Sequence, residues 1–286
     1  MLASMVDFAK MEGIGNQILV VDMRNRSDMI TLQAINFLSS VEDTRFDQIM
    51  SIHDSKSQSI DALIRIINRD GSEAQSCGNG MRCIVQFLSS KTRKKSFTFE
   101  TLRGFVQAQE NKDLSISIDM GEPIFDWKKI PLSQPSESIN LHIGPINNVF
   151  LRSPSIISMG NPHAIFFVED DIYQYDLVGF GKLLESHNIF PEGFNLSIAK
   201  VSSLSSVHLR TLERGVGLTA ACGSAACASV VASVCSGRTK RAASVSMPGG
   251  KLFIEWGNNG HVLMTGTAEK KWDGKLDVQT GEWIQV

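Results

Sequence analysis

The sequence has no run of about 18 apolar residues, the length a helix needs to cross a bilayer. Its first stretch, "MLASMVDFAKMEG", is broken by Asp7, Lys10 and Glu12 before a signal-peptide core can form. Neither charge dominates: a formal net charge of −2 gives no general attraction to nucleic acid or to an anionic membrane. The one basic run, Lys91 to Lys95, reads as a solvated connection. Cysteine is sparse and odd in number, five in 286 residues, which excludes a secreted disulfide scaffold and predicts reduced thiols in the cytoplasm. The cysteine spacings, six from 77 to 83 and five from 222 to 227, are not the tight C-x2-C pairs of a zinc site, so no metal is expected. A phosphate-binding G-x-x-x-x-G-K-[ST], a convincing G-x-G-x-x-G and a lysine in a pyridoxal-phosphate context are also missing, so no cofactor is expected. The chain reads as soluble and cytoplasmic.

The chain is long enough for one large domain or two ordinary ones. Strand-like alternation runs through "ALIRIINRDGS", "SFTFETLRGFVQAQENKDLSISIDM" and "SVHLRTLERG". The last third is punctuated by Pro-Gly-Gly, Gly-Asn-Asn-Gly and Asp-Gly and reads as hairpins. Helices are predicted over Ile30–Phe37, Asn79–Ser89, Leu177–His187 and Gly223–Cys235. The last is small and apolar on every side, which places it inside something.

Two stretches stand out: "QSCGNGMRC" at 75–83 and "AACGSAACA" at 220–228. Their Cys-Gly pairs, Cys77-Gly78 and Cys222-Gly223, lie 145 residues apart, about half the chain. The same offset carries Gly15-Asn16 onto Gly160-Asn161, and Asn68-Arg69 onto Glu213-Arg214. Three landmarks in one register predict a duplication, with one half at 1–121 plus about 271–286 and the other at 122–270.

A cysteine just before a helix faces backbone N–H groups and the positive end of the helix dipole, which lowers the thiol pKa. Alone, such a cysteine is ordinary core filler. Two at equivalent places in duplicated halves suit one reaction, in which a proton leaves one face of a carbon and another returns to the opposite face. One thiolate is the base and one thiol the acid. The carbon would be the α-carbon of an amino acid, its developing carbanion stabilised by fixed donors in a desolvated site between the halves. Asn16, Asn68, Asn79, Asn161, Asn195 and Ser224 can hold ammonium and carboxylate groups without adding a competing base. Cys83, Cys227 and Cys235 fall deeper in the helices and are read as core.

The chain resembles the diaminopimelate epimerases through "KMEGIGNQILVVD", "FDQ", "NRDGSEAQSCGNGMRC", "SMGNPHAIFFVED", "LLESHNIFPEGFN", "LERGVGLTAACGSAACAS" and "MPGGKLFIEW". The resemblance implies an α/β (α+β) fold of two pseudo-symmetric duplicated domains, each a curved, mostly antiparallel sheet around a central helix. It implies a cofactor-independent epimerase with Cys77 and Cys222 as base and acid, and His163 and Glu213 assisting them. Asn16, Gln48, Asn68, Asn161, Asn195, Glu213 and Arg214 match substrate contacts. Gly78-Asn79 and Gly223-Ser224 match the helix starts at the substrate's reacting end. A homodimer is also implied. Departures from the family pattern are Glu12, Gln17, Asp43, Arg45, Ala164 and Leu218. Two other readings are a racemase or epimerase of proline or hydroxyproline with the same two-thiol logic, and a redox or binding protein with a Cys77–Cys222 disulfide.

Overall fold

A computed structural model describes residues 5–139, 141, 153–185 and 187–286. The chain divides into two compact units, Met1–Ile118 with Gly266–Val286, and Asp119–Thr265.

The first unit opens with an antiparallel hairpin of β1 (Val6–Gly13) and β2 (Asn16–Asp22). Only Ile14 and Gly15 lie between the strands, and both have positive φ, 47° and 89°, as a type I′ turn requires. Gly15 adopts this freely, whereas Ile14, β-branched, is strained there. Next, α1 (Leu32–Ser40) crosses over to β3 (Gln48–His53), which lies parallel to β2. This helix starts two residues later than the predicted Ile30–Phe37 and runs further. Thr31 is its N-cap, its hydroxyl accepting the Ala34 N–H at 3.1 Å. Then β4 (Ala62–Asn68) pairs antiparallel with β3 and with the short β5 (Glu73–Ala74). A second crossover, α2 (Gly78–Lys91), leads to β6 (Ser96–Thr101), parallel to β4. Finally, β7 (Gly104–Glu110) and β8 (Ile116–Asp119) continue as an antiparallel meander. With its apolar residues Met81, Ile84, Phe87 and Leu88 buried, α2 packs against β1, β2, β3 and β7.

The second unit repeats this plan strand for strand. β9 (Ser155–Ser158) and β10 (Pro162–Phe167) form the opening antiparallel pair, and Gly160 between them has φ 92°. α3 (Leu177–Glu185) leads to β11 (Asn195–Ser203), parallel to β10. It falls within the predicted Leu177–His187 but ends at Glu185: His187 is not helical, and Ser186 lies outside the described residues. β12 (Ser206–Glu213) is antiparallel to β11 and to the short β13 (Gly217–Thr219). α4 (Gly223–Cys235) then crosses to β14 (Ala242–Met247), parallel to β12, and β15 (Gly250–Trp256) and β16 (Val262–Gly266) complete the meander. The two parallel pairings in each unit are both bridged by a helix, as parallel strands require. The fold is therefore mixed α/β with two duplicated halves.

The chain then returns to the first unit. β17 (Glu269–Leu276) lies antiparallel on β1, pairing Val6 with Leu276, and β18 (Trp283–Gln285) pairs with β17. Trp272 and Trp283 stack with ring centroids 5.0 Å apart, and Phe8 meets Trp272 edge-on at 5.3 Å. These rings close a core of Phe8, Leu19, Leu38, Phe46, Ile49 and Leu276. The second unit has its own core, with Ile156, Phe166, Phe180, Phe194 and Ile198. Each such side chain contributes roughly 1.5–3 kcal/mol by leaving water.

α4 is buried along nearly its whole length, which its small apolar residues permit. Cys83 and Cys227 are fully buried, as core residues. Cys235 is not: it is the last residue of α4, where the helix leaves the core, and it is exposed.

Candidate active site

In each unit the turn after the first strand, the ends of the middle strands and the start of the crossover helix gather the polar residues singled out from the sequence. Cys77 is the N-cap of α2, extended at φ −149°, and its Sγ accepts the Gly80 N–H at 3.2 Å. Cys222 is the N-cap of α4, at φ −126°. Both cysteines therefore stand at helix starts, where backbone N–H groups lack helical partners. All five cysteines are free thiols.

The two sulfurs have different surroundings. Cys77 is half-buried, whereas Cys222 is buried and its thiol is pushed well above its ordinary pKa. Burial is the largest cause, and the Glu213 carboxylate adds to it; the Ser224 side chain and the Ala225 N–H act the other way without offsetting them. The expectation that a helix start lowers the thiol pKa thus fails at Cys222, because desolvation and a neighbouring negative charge exceed the amide contribution. Burial pushes the core thiol Cys83 to about 12.

In the first unit, Asn16 begins β2 directly after the tight turn. Asn79 Nδ2 donates to Asn16 Oδ1 at 3.1 Å, and Arg82 Nη2 donates to Asn79 Oδ1 at 2.9 Å. Arg82 is fully buried and also donates to the Thr267 carbonyl at 3.1 Å. Gly13 permits this approach, since a Cβ there would lie 2.9 Å from the Asn79 carbonyl oxygen. Gln48 and Asn68 are cross-strand partners on β3 and β4, and Gln48 Nε2 donates to Asn68 Oδ1 at 3.0 Å. Asn68 Nδ2 in turn donates to Ser72 Oγ at 3.0 Å.

The segment leading into Gln48 is clamped from several sides. Asp47 exchanges hydrogen bonds with Gln17: Asp47 N donates to Gln17 O at 2.7 Å, and Gln17 N donates to Asp47 Oδ2 at 2.9 Å. Arg69 Nη2 lies 2.8 Å from Asp47 Oδ1, and the buried Lys10 donates to the Arg45 carbonyl. The departures Glu12 and Gln17 are cross-strand partners in the first hairpin; Gln17 Nε2 donates to Glu12 Oε2 at 3.4 Å, with Lys271 Nζ at 3.1 Å. The Lys271 ammonium holds the Glu12 carboxyl below its usual range.

In the second unit, His163 Nε2 lies 3.1 Å from Asn161 Oδ1 and 3.0 Å from Ser224 Oγ, and Ser224 Oγ lies 3.5 Å from Cys222 Sγ. His163 is fully buried. Asn195 starts β11 beside His163 on β10; its Nδ2 donates to the Pro162 carbonyl at 3.2 Å and its Oδ1 accepts the Arg214 N–H at 2.9 Å. Glu213 and Arg214 turn to different partners: Thr219 Oγ1 donates to Glu213 Oε1 at 2.7 Å, while the exposed Arg214 guanidinium donates to the Glu192 carbonyl. Gly78 and Gly223 are the first residues of their helices.

Within each unit the structure thus assembles a cysteine, an asparagine from the opening turn, and a polar residue two positions after the cysteine. Asn79 and Ser224 are equivalent under the 145-residue offset. Sequence reasoning missed Arg82, Thr219 and the Asp70–Ser72 turn. Arg82 left one signal, a cation within the otherwise apolar stretch "GMRCIV". Among the described residues, no group of three or more His, Cys, Asp or Glu side chains is arranged to hold a metal ion. Nor is any helix among them long and apolar enough to cross a membrane.

A family model described as diaminopimelate epimerase matches residues 8–125 and 155–271. The chain is 53% identical over 285 residues to the diaminopimelate epimerase of Brucella anthropi, covering 99% of this chain and 95% of that protein. It is 52% identical to that of Chelativorans sp. strain BNC1, covering 99% and 97%. Among solved structures, a hydroxyproline epimerase from Agrobacterium vitis matches at TM-score 0.64 and 13% identity, covering 96% of this chain and 91% of that one. A phenazine biosynthesis protein of the PhzF family from Bacillus anthracis matches at 0.62 and 16%, covering 95% and 99%. These two show a shared fold.

Proposed function

Because the chain belongs to the diaminopimelate epimerase family, we propose that it interconverts LL- and meso-2,6-diaminopimelate by moving protons at one α-carbon, using two thiols and no cofactor. It is an isomerase of lysine and peptidoglycan precursor synthesis. The observation that carries this reading is the pair of N-capping cysteines at equivalent places in two duplicated halves. Inversion requires a base on one face of the carbon and an acid on the other, and two residues of one type let the roles exchange when the reaction reverses.

Cys222, whose burial beside Glu213 disfavours its thiolate, is proposed as the acid. Cys77, whose sulfur accepts the Gly80 N–H, is proposed as the base. Backbone N–H groups at a helix start supply donors for the substrate carboxylate as negative charge develops on it. His163 and Glu213 stand close enough to the Cys222–Ser224 pair to reset its proton between turnovers. Asn16, Gln48, Asn68, Asn161, Asn195 and Arg214 are proposed as contacts to the ammonium and carboxylate groups. The family resemblance supports a homodimer, and the reduced thiols support a cytoplasmic location.

The test is incubation of the reduced protein with LL-diaminopimelate in deuterated water, followed by NMR. The expected result is loss of the α-proton signal together with appearance of the meso isomer, and no turnover of proline. Cys77→Ala and Cys222→Ala should each lower epimerisation by at least roughly 10²–10⁴-fold, the contribution of one positioned acid or base. Absence of exchange in the wild-type protein under full reduction overturns the reading.

A further inference from the structure

An asparagine or glutamine carboxamide has an oxygen that accepts and a nitrogen that donates, and which end faces a ligand decides whether the ligand's anionic or cationic group is favoured. Such an ambiguity is removed where a chain of amides ends on a group that can only donate or only accept. The first unit contains one chain of each kind.

The first ends on Arg82. A guanidinium has only donors, so Asn79 must turn its Oδ1 to Arg82 Nη2, at 2.9 Å. Its Nδ2 is then the atom that meets Asn16, and Asn16 must answer with Oδ1, at 3.1 Å. The atom of Asn16 that remains for a ligand is Nδ2, a donor. Full burial of Arg82 makes this root strong, because a buried guanidinium holds its hydrogen-bond acceptors firmly. The second chain ends on Asp70, a carboxylate with only acceptors. Ser72 Oγ donates to Asp70 Oδ1 at 2.5 Å, and therefore accepts from Asn68 Nδ2 at 3.0 Å. Asn68 Oδ1 then accepts from Gln48 Nε2 at 3.0 Å, and the atom of Gln48 left over is Oε1, an acceptor.

Asn16 and Gln48 stand at the starts of the adjacent parallel strands β2 and β3, where Ile18 pairs with Gln48. We propose that Arg82 and Asp70 are positioning residues that fix these two amides in opposite senses, so that Asn16 presents a donor to a carboxylate and Gln48 an acceptor to an ammonium group of the amino-acid substrate. This deepens the epimerase reading and rests on it for the identity of the ligand. The second unit lacks the same root, since Cys227 occupies the position equivalent to Arg82 under the 145-residue offset, and His163 joins Asn161 to Ser224 instead. The guanidinium root at this helix position is therefore a property of the first half, while in the second half Asn195 is set instead by the Pro162 carbonyl and the Arg214 N–H.

A neutron structure of the wild-type protein after deuterium exchange reads the polarity directly and without activity. Deuterons are expected on the atom of Asn16 not bonded to Asn79, and none on the atom of Gln48 not bonded to Asn68; either found reversed overturns the proposal. Kinetics with diaminopimelate supply the second readout. Asn16→Asp can still accept from Asn79 but turns an oxygen toward the ligand, and should raise KM by roughly 10- to 100-fold, the worth of one hydrogen bond to a charged group, with a smaller change in kcat. Arg82→Lys keeps an obligate donor and should hold KM near wild type. Arg82→Gln, which can donate or accept, should raise it, with thermal midpoints measured for both. Equal KM values in the two Arg82 variants at matched stability overturn the proposal. If the wild type shows no epimerisation, the proposed function falls while the neutron result still decides the polarity.

Discussion

Two cysteines occupy equivalent helix starts, yet only one of them, Cys222, sits buried beside a carboxylate. A helix N-terminus favours a thiolate by up to about 1–2 kcal/mol at best, and loss of solvent around a buried thiol outweighs that. The sign of the Glu213 effect follows directly: its negative charge disfavours a second negative charge on Cys222, so Glu213→Gln lowers the thiol pKa and raises the thiolate fraction at any pH below it. Alkylation of Cys222 by iodoacetamide at pH 8.5, followed by peptide mass spectrometry, should be several-fold faster in Glu213→Gln than in the wild type. An unchanged or slower rate contradicts the assignment. The cysteine types and their Gly neighbours were legible in the sequence. Burial was not, because it depends on strands that pack around α4 from elsewhere in the second unit. For the same reason Cys235, one helical residue among small apolar ones, read as core although it lies exposed at the helix end.

At the scale of elements, the opening hairpin is the device that delivers Asn16. Its two-residue turn forces positive φ on Ile14 and Gly15, and Gly160 repeats the conformation in the second half. Replacing Gly15 by Ala adds a Cβ in the left-handed region and should cost about 1–2 kcal/mol of stability, measurable as a lower urea midpoint with unchanged slope. Because Asn16 follows directly, the same change should lower the rate of α-proton exchange. The "GIGN" and "MGNP" stretches announced these turns, and the helices at Gly78–Lys91 and Gly223–Cys235 followed from their patterns nearly to the residue. The α1 boundary was harder to read, since Ile30 and Leu32 both suit a helix and only the Thr31 cap decides between them.

At the scale of the whole molecule, the first unit depends on chain that arrives after the second is complete. Trp272 on β17 packs against Phe8 and Trp283, closing the N-terminal core from about 260 residues downstream. Trp272→Ala should destabilise the protein by about 3–5 kcal/mol, in the range for emptying a large aromatic site, and limited proteolysis should then cut first within Val6–Asp119. Cleavage confined to the second unit would contradict this.

The sequence by itself determined the duplication, the two Cys-Gly helix starts and the family, because each is written in residue types at fixed spacing along one dimension. The tertiary structure decided what those residues meet. It put a carboxylate beside one thiol, buried a guanidinium under Asn79, and joined Gln48 to Asn68 across strands that are 20 residues apart in the chain. Protonation state and hydrogen-bond polarity are set by neighbours in space and by exclusion of water. No local pattern encodes either.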